Sequence, residues 1–280
     1  MFVKGVILAA GYGSRFLPIT KGIPKEMLPL ITKPSIDFII EEFIESGIED
    51  ILIVTSRRKK ALEDYLDREV ELETVFSQEG SDHKLEMVKP HSARFFFTRQ
   101  QRMWGTGHAL LLTQPFIGNE PFVVAYPDDL HFGEIPLTAQ LIEVYKSTGC
   151  CVLSSIHDPP NLSRYGILDI ETDALHVKDI VEKPERGKEP SKEASIGRYL
   201  YLPKIFDYLK EGFARHTEGE FYHTGALRRL AAEGVVVFKR IAGERFDVGE
   251  PEEYFRAILR YVRTVPELEA ILEEEMRSRG

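Results

Sequence analysis

Short apolar runs bounded by polar turns alternate with segments of helical periodicity through the first half of the chain. The runs at 6–9, 51–55, 94–98 and 122–125 predict strands, and the apolar spacing across 34–46 and 59–66 predicts helices. Strands and helices that alternate in this way predict an α/β fold with a doubly wound, mostly parallel sheet of Rossmann-like type. The loops that follow successive parallel strands would then share one edge of the sheet.

The pattern changes after residue 149. Strands are predicted at 151–156, 166–170, 177–181 and 196–202 without regular helices between them, which indicates an extended sheet with an added lobe. Further elements are helices at 205–209 and 227–232, a strand at 235–241, a turn at 246–249 and two helices over 251–279 around Pro266. We therefore predict a domain over 1–249, with halves near 1–149 and 150–249, followed by C-terminal helices over 250–280.

One stretch in the first half combines glycines with cations, namely GVILAAGYGSRFLPITKGIPKEMLPL at 5–30. Gly11 and Gly13 directly follow a predicted strand, and we expect both to allow positive φ and close approach of backbone N–H groups to an anion. Arg15, Lys21 and Lys25 add positive charge, so the stretch predicts a polyphosphate site. The nucleotide-hydrolase motif GxxxxGK[ST] is absent, and Phe16 stands where the dinucleotide motif GxGxxG needs its third glycine.

Composition excludes several classes of protein. The 280 residues are 43% hydrophobic and 29% charged, as in an ordinary soluble globular protein, and the net charge is −9. This acidity argues against general nucleic-acid binding. Because no bilayer-length apolar run or leader precedes the first strand, we expect no membrane association and a cytoplasmic location. Cys150 and Cys151, the only cysteines, are interpreted as strand residues rather than a disulfide or metal site.

Two polar positions stand out at the ends of later strands. Asp128 follows the fourth predicted strand and would point into the shared crevice, although an Asp there can also cap the next element. Gln100 follows the third, and its amide offers the donor and acceptor that match the O4 and N3–H edge of uracil or thymine. Gly105 would let the backbone approach such a ring, while His108 at a predicted helix start is interpreted as structural.

Residues 5–30 closely resemble the signature of the sugar-phosphate nucleotidyltransferase family, LAAGxG[ST]R followed by PKxxLP. The matching positions are Ala10, Gly11, Gly13, Arg15, Pro24, Lys25, Leu28 and Pro29. Other motifs of this family recur as RQ and GxGHA at 99–109, YG[VI] at 165–167, VEKP at 181–184, GRY at 197–199 and DxG at 247–249. The fuller IPKEMLPL at 23–30 resembles members that transfer a uridylyl group.

The resemblance implies that a uridylyl group passes from UTP to glucose 1-phosphate, with release of pyrophosphate and with Mg²⁺ as cofactor. The implied nucleotide-binding positions are Ala10, Gly11, Gly13, Gln100 and Gly105. Those for the sugar phosphate are Gly166, Glu182 and Lys183, which would make the second half a sugar-binding lobe. Arg15, Lys25 and Asp128 carry the catalytic roles, and Asp128 and Asp247 are the implied metal positions.

Several alternatives stay open. A thymidylyltransferase that uses dTTP would read thymine through the same amide. A catalytically silent relative that binds nucleotide sugars is suggested by departures from the family pattern: Gln101 replaces a glycine, and GEFYHTGAL at 219–227 replaces GDEIQLTDA, which changes Tyr222 and Gly225. A nicotinamide oxidoreductase is disfavoured by the missing glycine. The charged last helix is either a solvated face or a subunit contact in a homo-oligomer, a dimer or tetramer.

Overall fold

The computed structural model describes residues 2–278. Its strands are β1 (Lys4–Leu8), β2 (Pro29–Leu30), β3 (Lys33–Pro34), β4 (Asp50–Thr55), β5 (Arg94–Arg99), β6 (Phe122–Ala125), β7 (Asp129–Phe132), β8 (Cys151–His157), β9 (Gly166–Ile170), β10 (Val177–Glu182), β11 (Glu193–Tyr201), β12 (Val236–Arg240) and β13 (Glu244–Asp247). Its α-helices are α1 (Ser35–Glu45), α2 (Lys60–Leu66), α3 (Val70–Gln78), α4 (Asp82–Met87), α5 (Thr106–Leu111), α6 (Gln114–Ile117), α7 (Leu137–Thr148), α8 (Ile205–Ala214), α9 (Thr224–Ala232), α10 (Pro251–Val262) and α11 (Pro266–Arg277). Short 3₁₀ helices lie at Ser14–Phe16, Ile19–Lys21, Lys25–Met27 and Leu162–Arg164.

A mixed sheet of nine strands runs through both halves of the chain. Strands β6, β1, β4 and β5 are adjacent in that order and run parallel, as the alternation of strands and helices predicts. The second half joins this group through β11, which pairs antiparallel with β6, β8 and β9. The predicted α/β fold is therefore confirmed, with antiparallel strands concentrated in the second half.

Apolar side chains cover both faces of β1, β4 and β6, whereas the edge strand β5 is largely exposed. On β1, Ile7 belongs to the cluster that includes α1, while its neighbour Val6 belongs to the cluster that includes α5, α8 and α9. Both side chains are fully buried. Strands buried on two faces need continuous apolar runs, which explains why these strands are clear in the sequence. This double packing holds the carboxyl ends of β1, β4 and β6 in fixed positions.

The structure corrects and extends the sequence prediction in several places. The first two residues of the predicted turn at 246–249 instead belong to strand β13, which pairs antiparallel with β7 and sets Asp247 opposite Asp129. The ambiguous tract at 69–91 forms α3 and α4. Arg279, the last residue of the predicted terminal helix, lies outside the described residues. Between residues 2 and 278, no helix has both the length and the apolar character needed to cross a bilayer.

Candidate functional site

The glycine turn after β1 is built around Gly13. Its φ of 68° lies in the left-handed region, and a Cβ there would come within 3.1 Å of the Lys25 Cβ. The Thr20 hydroxyl donates to the Gly13 carbonyl over 2.7 Å and closes the turn. Gly11 does not adopt positive φ, so that expectation was wrong; its missing side chain instead leaves open space. The turn thus requires glycine at position 13 for its backbone conformation, and glycine at position 11 leaves it open.

We name the space above this turn the glycine-loop cavity, which has a volume of about 380 Å³. Its lining contains seven of the predicted site residues: Ala10, Gly11, Gly13, Lys25, Gln100, Gly105 and Asp128. These residues follow β1, β5 and β6, which are strands of the parallel group. The shared sheet edge therefore brings together side chains that lie more than a hundred residues apart in sequence.

Lys25 and Asp128 form the central charged pair of this cavity. The Lys25 ammonium donates to Oδ2 of Asp128 over 2.5 Å, and both side chains are largely buried. Burial alone would lower the pKa of Lys25, but the carboxylates of Asp128, Glu26 and Asp247 together outweigh burial and the pKa is raised. Likewise, burial would raise the pKa of Asp128, yet Lys25 holds it below the ordinary value. Both groups are therefore charged at neutral pH.

Asp247 approaches Asp128 from the second half. A Cβ on Gly249 would lie 2.5 Å from Oδ2 of Asp128 and 3.0 Å from Oδ1 of Asp247, so the two carboxylates meet around this glycine. The backbone N–H of Val248 donates to the Asp128 carbonyl over 2.7 Å and fixes the approach. Burial, with the added repulsion of Asp128, raises the pKa of Asp247, and Arg245 offsets this only in part.

Asp129 and Arg245 support this arrangement and were not predicted as functional. Arg245 donates to both oxygens of Asp129, over 3.0 and 2.9 Å, and its guanidinium lies 3.6 Å from Asp247. Asp129 also accepts from the Gly197 N–H over 2.8 Å. Consecutive aspartates after a strand were a signal of this role, but the antiparallel pairing of β7 with β13 could not be read from the sequence.

A second buried ion pair lies beneath the basic loop. Glu26 follows Lys25 in sequence but points inward, and its Oε2 accepts from the Lys59 ammonium over 2.5 Å. Their side chains are 0% and 4% exposed. Burial raises the pKa of Glu26 and lowers that of Lys59, although each partner opposes the effect on the other. Because one residue of this pair adjoins Lys25, the pair holds the loop that presents Lys25 to the cavity.

Gln100 presents only part of its amide to the cavity. Its Nε2 donates to the Gly105 carbonyl over 3.0 Å and lies 3.1 Å from Nδ1 of His108. The carbonyl fixes the orientation of the amide, since the reversed amide would place two oxygens together. Burial lowers the pKa of His108, which favours the neutral ring that can accept this bond. The acceptor Oε1 is thus the Gln100 atom that is left for a ligand.

Gly105 has a packing role that the sequence did not reveal. Its φ is 90°, and a Cβ would lie 2.6 Å from the carbonyl oxygen of Phe221. The same carbonyl accepts from the Gly107 N–H over 2.8 Å. The glycines at the start of α5 therefore let the 219–223 segment lie against the glycine-loop cavity.

A second space, the tyrosine cavity, adjoins the first through Thr106 and Tyr126, which line both. It measures about 290 Å³, and its lining includes the predicted residues Gly166, Glu182 and Asp247. Gly166 and Glu182 are paired across β9 and β10, and a Cβ on Gly166 would stand 3.1 Å from Oε2 of Glu182. The glycine therefore leaves room beside an exposed carboxylate.

The two remaining predicted residues, Arg15 and Lys183, line a third space that we name the arginine cavity, of about 500 Å³. Asp247 borders it as well as the tyrosine cavity. Lys183 adopts a φ of 45°, unusual for a residue with a side chain, and its N–H donates to the Tyr165 carbonyl over 2.9 Å. Arg164 and Arg15 both face Oε1 of Glu250, at 2.7 and 3.4 Å.

The charge distribution fits one divalent cation held jointly with a phosphorylated ligand. Within residues 2–278, no group of three or more His, Cys, Asp or Glu side chains could hold a metal ion. Mg²⁺ in phosphate sites needs only one or two carboxylates, because phosphate oxygens and waters complete its octahedron. Asp128 and Asp247 supply two carboxylates that converge on one point from different elements.

Comparison with known proteins assigns this chain to a family. The family described as Nucleotidyl transferase matches residues 4–264. The chain belongs to the nucleotidyl transferase family. It is 42% identical over 274 residues to a UTP–glucose-1-phosphate uridylyltransferase of Staphylococcus haemolyticus, covering 95% of this chain and 94% of the relative. The family resemblance inferred from the motifs is thereby confirmed.

Solved structures of nucleotidyl transferases share the whole fold. A UDP-glucose pyrophosphorylase complexed with UDP-glucose superposes with a TM-score of 0.81 at 37% identity, covering 94% of this chain and 100% of the other. A UTP-bound UGPase from Acinetobacter baumannii gives a TM-score of 0.88 at 30% identity, covering 99% of each chain. The similarity thus extends over nearly the whole chain.

Proposed function

We propose that this chain transfers the uridylyl group of UTP to glucose 1-phosphate and releases pyrophosphate. The observation that carries the proposal is the meeting of Asp128 and Asp247 around Gly249, between the glycine-loop cavity and the other two cavities. Two phosphorylated molecules placed in these cavities would meet at that point. The UTP-bound and UDP-glucose-bound relatives support this choice of substrates.

The nucleotide would occupy the glycine-loop cavity. Oε1 of Gln100 would accept from N3–H of the pyrimidine, because its amide nitrogen is already engaged by Gly105 and His108. The open space at Gly11 would admit the phosphates against backbone N–H groups. Ala10, Gly13 and Gly105 would shape the same cavity. We thus propose residues 1–149 as the nucleotide half and 150–249 as the sugar-phosphate half.

The sugar phosphate would lie in the tyrosine cavity with its phosphate toward the arginine cavity. Glu182, a pure acceptor when ionised, suits sugar hydroxyls, and the compact cation of Lys183 suits the phosphate. Gly166 leaves room beside Glu182. The phosphate is ionised before it binds, so no general base is needed. What the site must supply is proximity of two anions and neutralisation of their charge.

In the reaction, an oxygen of the sugar phosphate forms a bond to the α-phosphorus while the bond to the β-phosphate oxygen breaks. Lys25 and Arg15 would offset the charge that develops on the departing pyrophosphate. We propose Asp128 and Asp247 as the residues that hold Mg²⁺. When bound, the ion would neutralise phosphate oxygens and orient the two reactants. Lys25 must then share Asp128, which its present 2.5 Å contact occupies on one oxygen.

An assay of pyrophosphate release tests the proposal. The purified chain is incubated with Mg²⁺ and each combination of UTP or dTTP with glucose 1-phosphate or galactose 1-phosphate. We expect the highest kcat/KM with UTP and glucose 1-phosphate. Turnover with dTTP and none with UTP would establish the thymidylyltransferase instead, and absence of turnover with every pair would overturn the proposal.

A further inference from the structure

His223 is a buried polar residue in the tyrosine cavity for which neither the motifs nor the proposed reaction gives a role. It precedes α9 as the N-cap residue and is 7% exposed. Tyr126, Tyr199 and Thr106 line the cavity beside it. The rings of Tyr199 and His223 meet edge to face with centroids 5.3 Å apart. A polar ring is thus fixed among aromatic side chains at the wall of the cavity.

One ring nitrogen of His223 is engaged by protein hydroxyls. Nδ1 lies 2.9 Å from Oγ1 of Thr106 and 3.5 Å from the Tyr126 hydroxyl. Two hydroxyls that can donate to one nitrogen favour Nδ1 as the acceptor, which places the ring proton on Nε2. Burial lowers the pKa of His223 to about 4, so the ring is neutral and keeps this single tautomer at pH 7.

The other ring nitrogen of His223 is Nε2. Nε2 makes no hydrogen bond with any of the described residues 2–278, and the surrounding protein does not fully enclose it. Nε2 therefore retains access to the cavity that the ring lines. A donor N–H at the wall of this cavity suits a neutral hydroxyl, because hydroxyl groups accept as well as donate.

We propose that His223 determines sugar specificity by donating from Nε2–H to one hydroxyl of the sugar. Glu182 lines the same cavity and can only accept when ionised, so the two side chains together match the donor and acceptor capacity of a polyol. Aromatic walls complement the apolar faces of a sugar ring. The inference rests on the proposed function, since it places the sugar of the sugar phosphate in the tyrosine cavity.

The test combines variants of His223 with sugars that lack single hydroxyls. Values of kcat/KM are measured with UTP and glucose 1-phosphate or its 2-, 3-, 4- and 6-deoxy analogues. The variants are His223→Leu, His223→Gln, which carries an amide near the position of Nε2, and His223→Asn, which carries one near Nδ1. His83→Leu on the exposed face of α4 is the control.

We expect one deoxy analogue to be about tenfold poorer than glucose 1-phosphate with the unaltered chain, as for loss of one neutral hydrogen bond. His223→Leu should lower kcat/KM for glucose 1-phosphate about tenfold and leave kcat/KM for that one analogue unchanged. The ratio of kcat/KM between glucose 1-phosphate and each of the other analogues should stay as in the unaltered chain. His223→Gln should keep the discrimination and His223→Asn should lose it. An equal loss on all five sugar phosphates, or a change confined to the KM for UTP, would overturn the inference.

A binding measurement keeps the inference testable if His223→Leu does not fold or if the unaltered chain shows no turnover. The ¹⁵N and ¹H resonances of the His223 ring are recorded while glucose 1-phosphate or UDP-glucose is added. A proton on Nε2 whose resonance shifts on addition of sugar supports the inference. A ring protonated on Nδ1, or one that is unchanged at saturation, contradicts it. Failure of turnover alone would count against the proposed reaction.

Discussion

The two halves of the site are prepared to different degrees. In the first half, Lys25 is held by Asp128 above and its loop by the enclosed Glu26–Lys59 pair below, and Gln100 is fixed by Gly105 and His108. In the second half, Glu182 and Lys183 stand exposed at the end of a hairpin. The nucleotide would thus meet a preformed site, whereas the sugar phosphate must order the exposed Glu182 and Lys183 side chains.

This contrast follows from topology. Strands β1, β4 and β6 are buried on both faces and bring the loops that follow them to one edge of the sheet, so the core holds these loops in place. The second half is joined through antiparallel pairings of β11 and β13, and its polar loops extend beyond them. Substitutions of the buried first-half residues should therefore affect stability as well as chemistry, and substitutions of the exposed Glu182 and Lys183 should mainly affect binding of one substrate.

The largest effect is expected from Lys59→Met, which leaves Glu26 buried and unpaired. Removal of one partner of a buried ion pair costs about 3–5 kcal/mol. The free energy of unfolding is measured in urea, with Lys60→Met as control, because Lys60 is the exposed neighbour. The double variant Glu26→Met with Lys59→Met should recover most of the loss. If Lys59→Met left the free energy of unfolding nearly unchanged, the claim that the first half of the site is preformed would be contradicted.

His223 gives a pH dependence of stability. Its pKa is about 4 in the folded chain against an ordinary 6.5, so only the unfolded chain takes up this proton as the pH falls from 6.5 to 4. The free energy of unfolding is therefore not reduced by His223 above pH 6.5. It falls by up to about 3 kcal/mol as the pH is lowered toward 4. His223→Gln should flatten the curve of unfolding free energy in this range. Curves that stay parallel would show that His223 is not buried in the neutral form.

Asp128→Asn tests the centre of the site. We expect kcat to fall by about a hundredfold or more, since a carboxylate that binds the cation and pairs with Lys25 becomes neutral. Asp64→Asn on the exposed side of α2 is the matched control. Turnover near that of the unaltered chain at saturating Mg²⁺ would remove Asp128 from this role.

Gly249→Ala tests the meeting point of the two halves. The added methyl group would lie 2.5 Å from Asp128 and 3.0 Å from Asp247, so the carboxylates must separate. We expect kcat to fall by roughly thirtyfold, about 2 kcal/mol, by misplacement of the reacting groups. Gly225→Ala is matched to it, because no atom lies within 4 Å of that Cβ position. Equal activities of the two variants would argue against a shared centre.

Lys183→Ala should have the smallest effect. We expect the KM for glucose 1-phosphate to rise about tenfold with the KM for UTP within about twofold, because the side chain would contact only the sugar phosphate. Lys188→Ala in the same exposed loop serves as control. If the KM for UTP rose instead, Lys183 would belong with the nucleotide.

The sequence predicted the parts of this arrangement that depend on local pattern. Residues after β1, β5 and β6 could be placed at one edge because apolar runs and intervening helices define parallel order. Asp247 was singled out only through a motif, since its position depends on pairing between β7 and β13 across more than a hundred residues. No sequence pattern indicates the buried Glu26–Lys59 pair, because the adjacent Lys25 and Glu26 face opposite directions only after the loop has folded.

A crystal structure of the chain with Mg²⁺ and UDP-glucose tests the central claim most directly. We predict that N3 of uracil lies within hydrogen-bond distance of Oε1 of Gln100, that glucose fills the tyrosine cavity beside Glu182, and that the diphosphate bridges the two near Asp128. Uracil or glucose bound elsewhere, for example in the hollow of about 710 Å³ near Lys33 and His131, would contradict it.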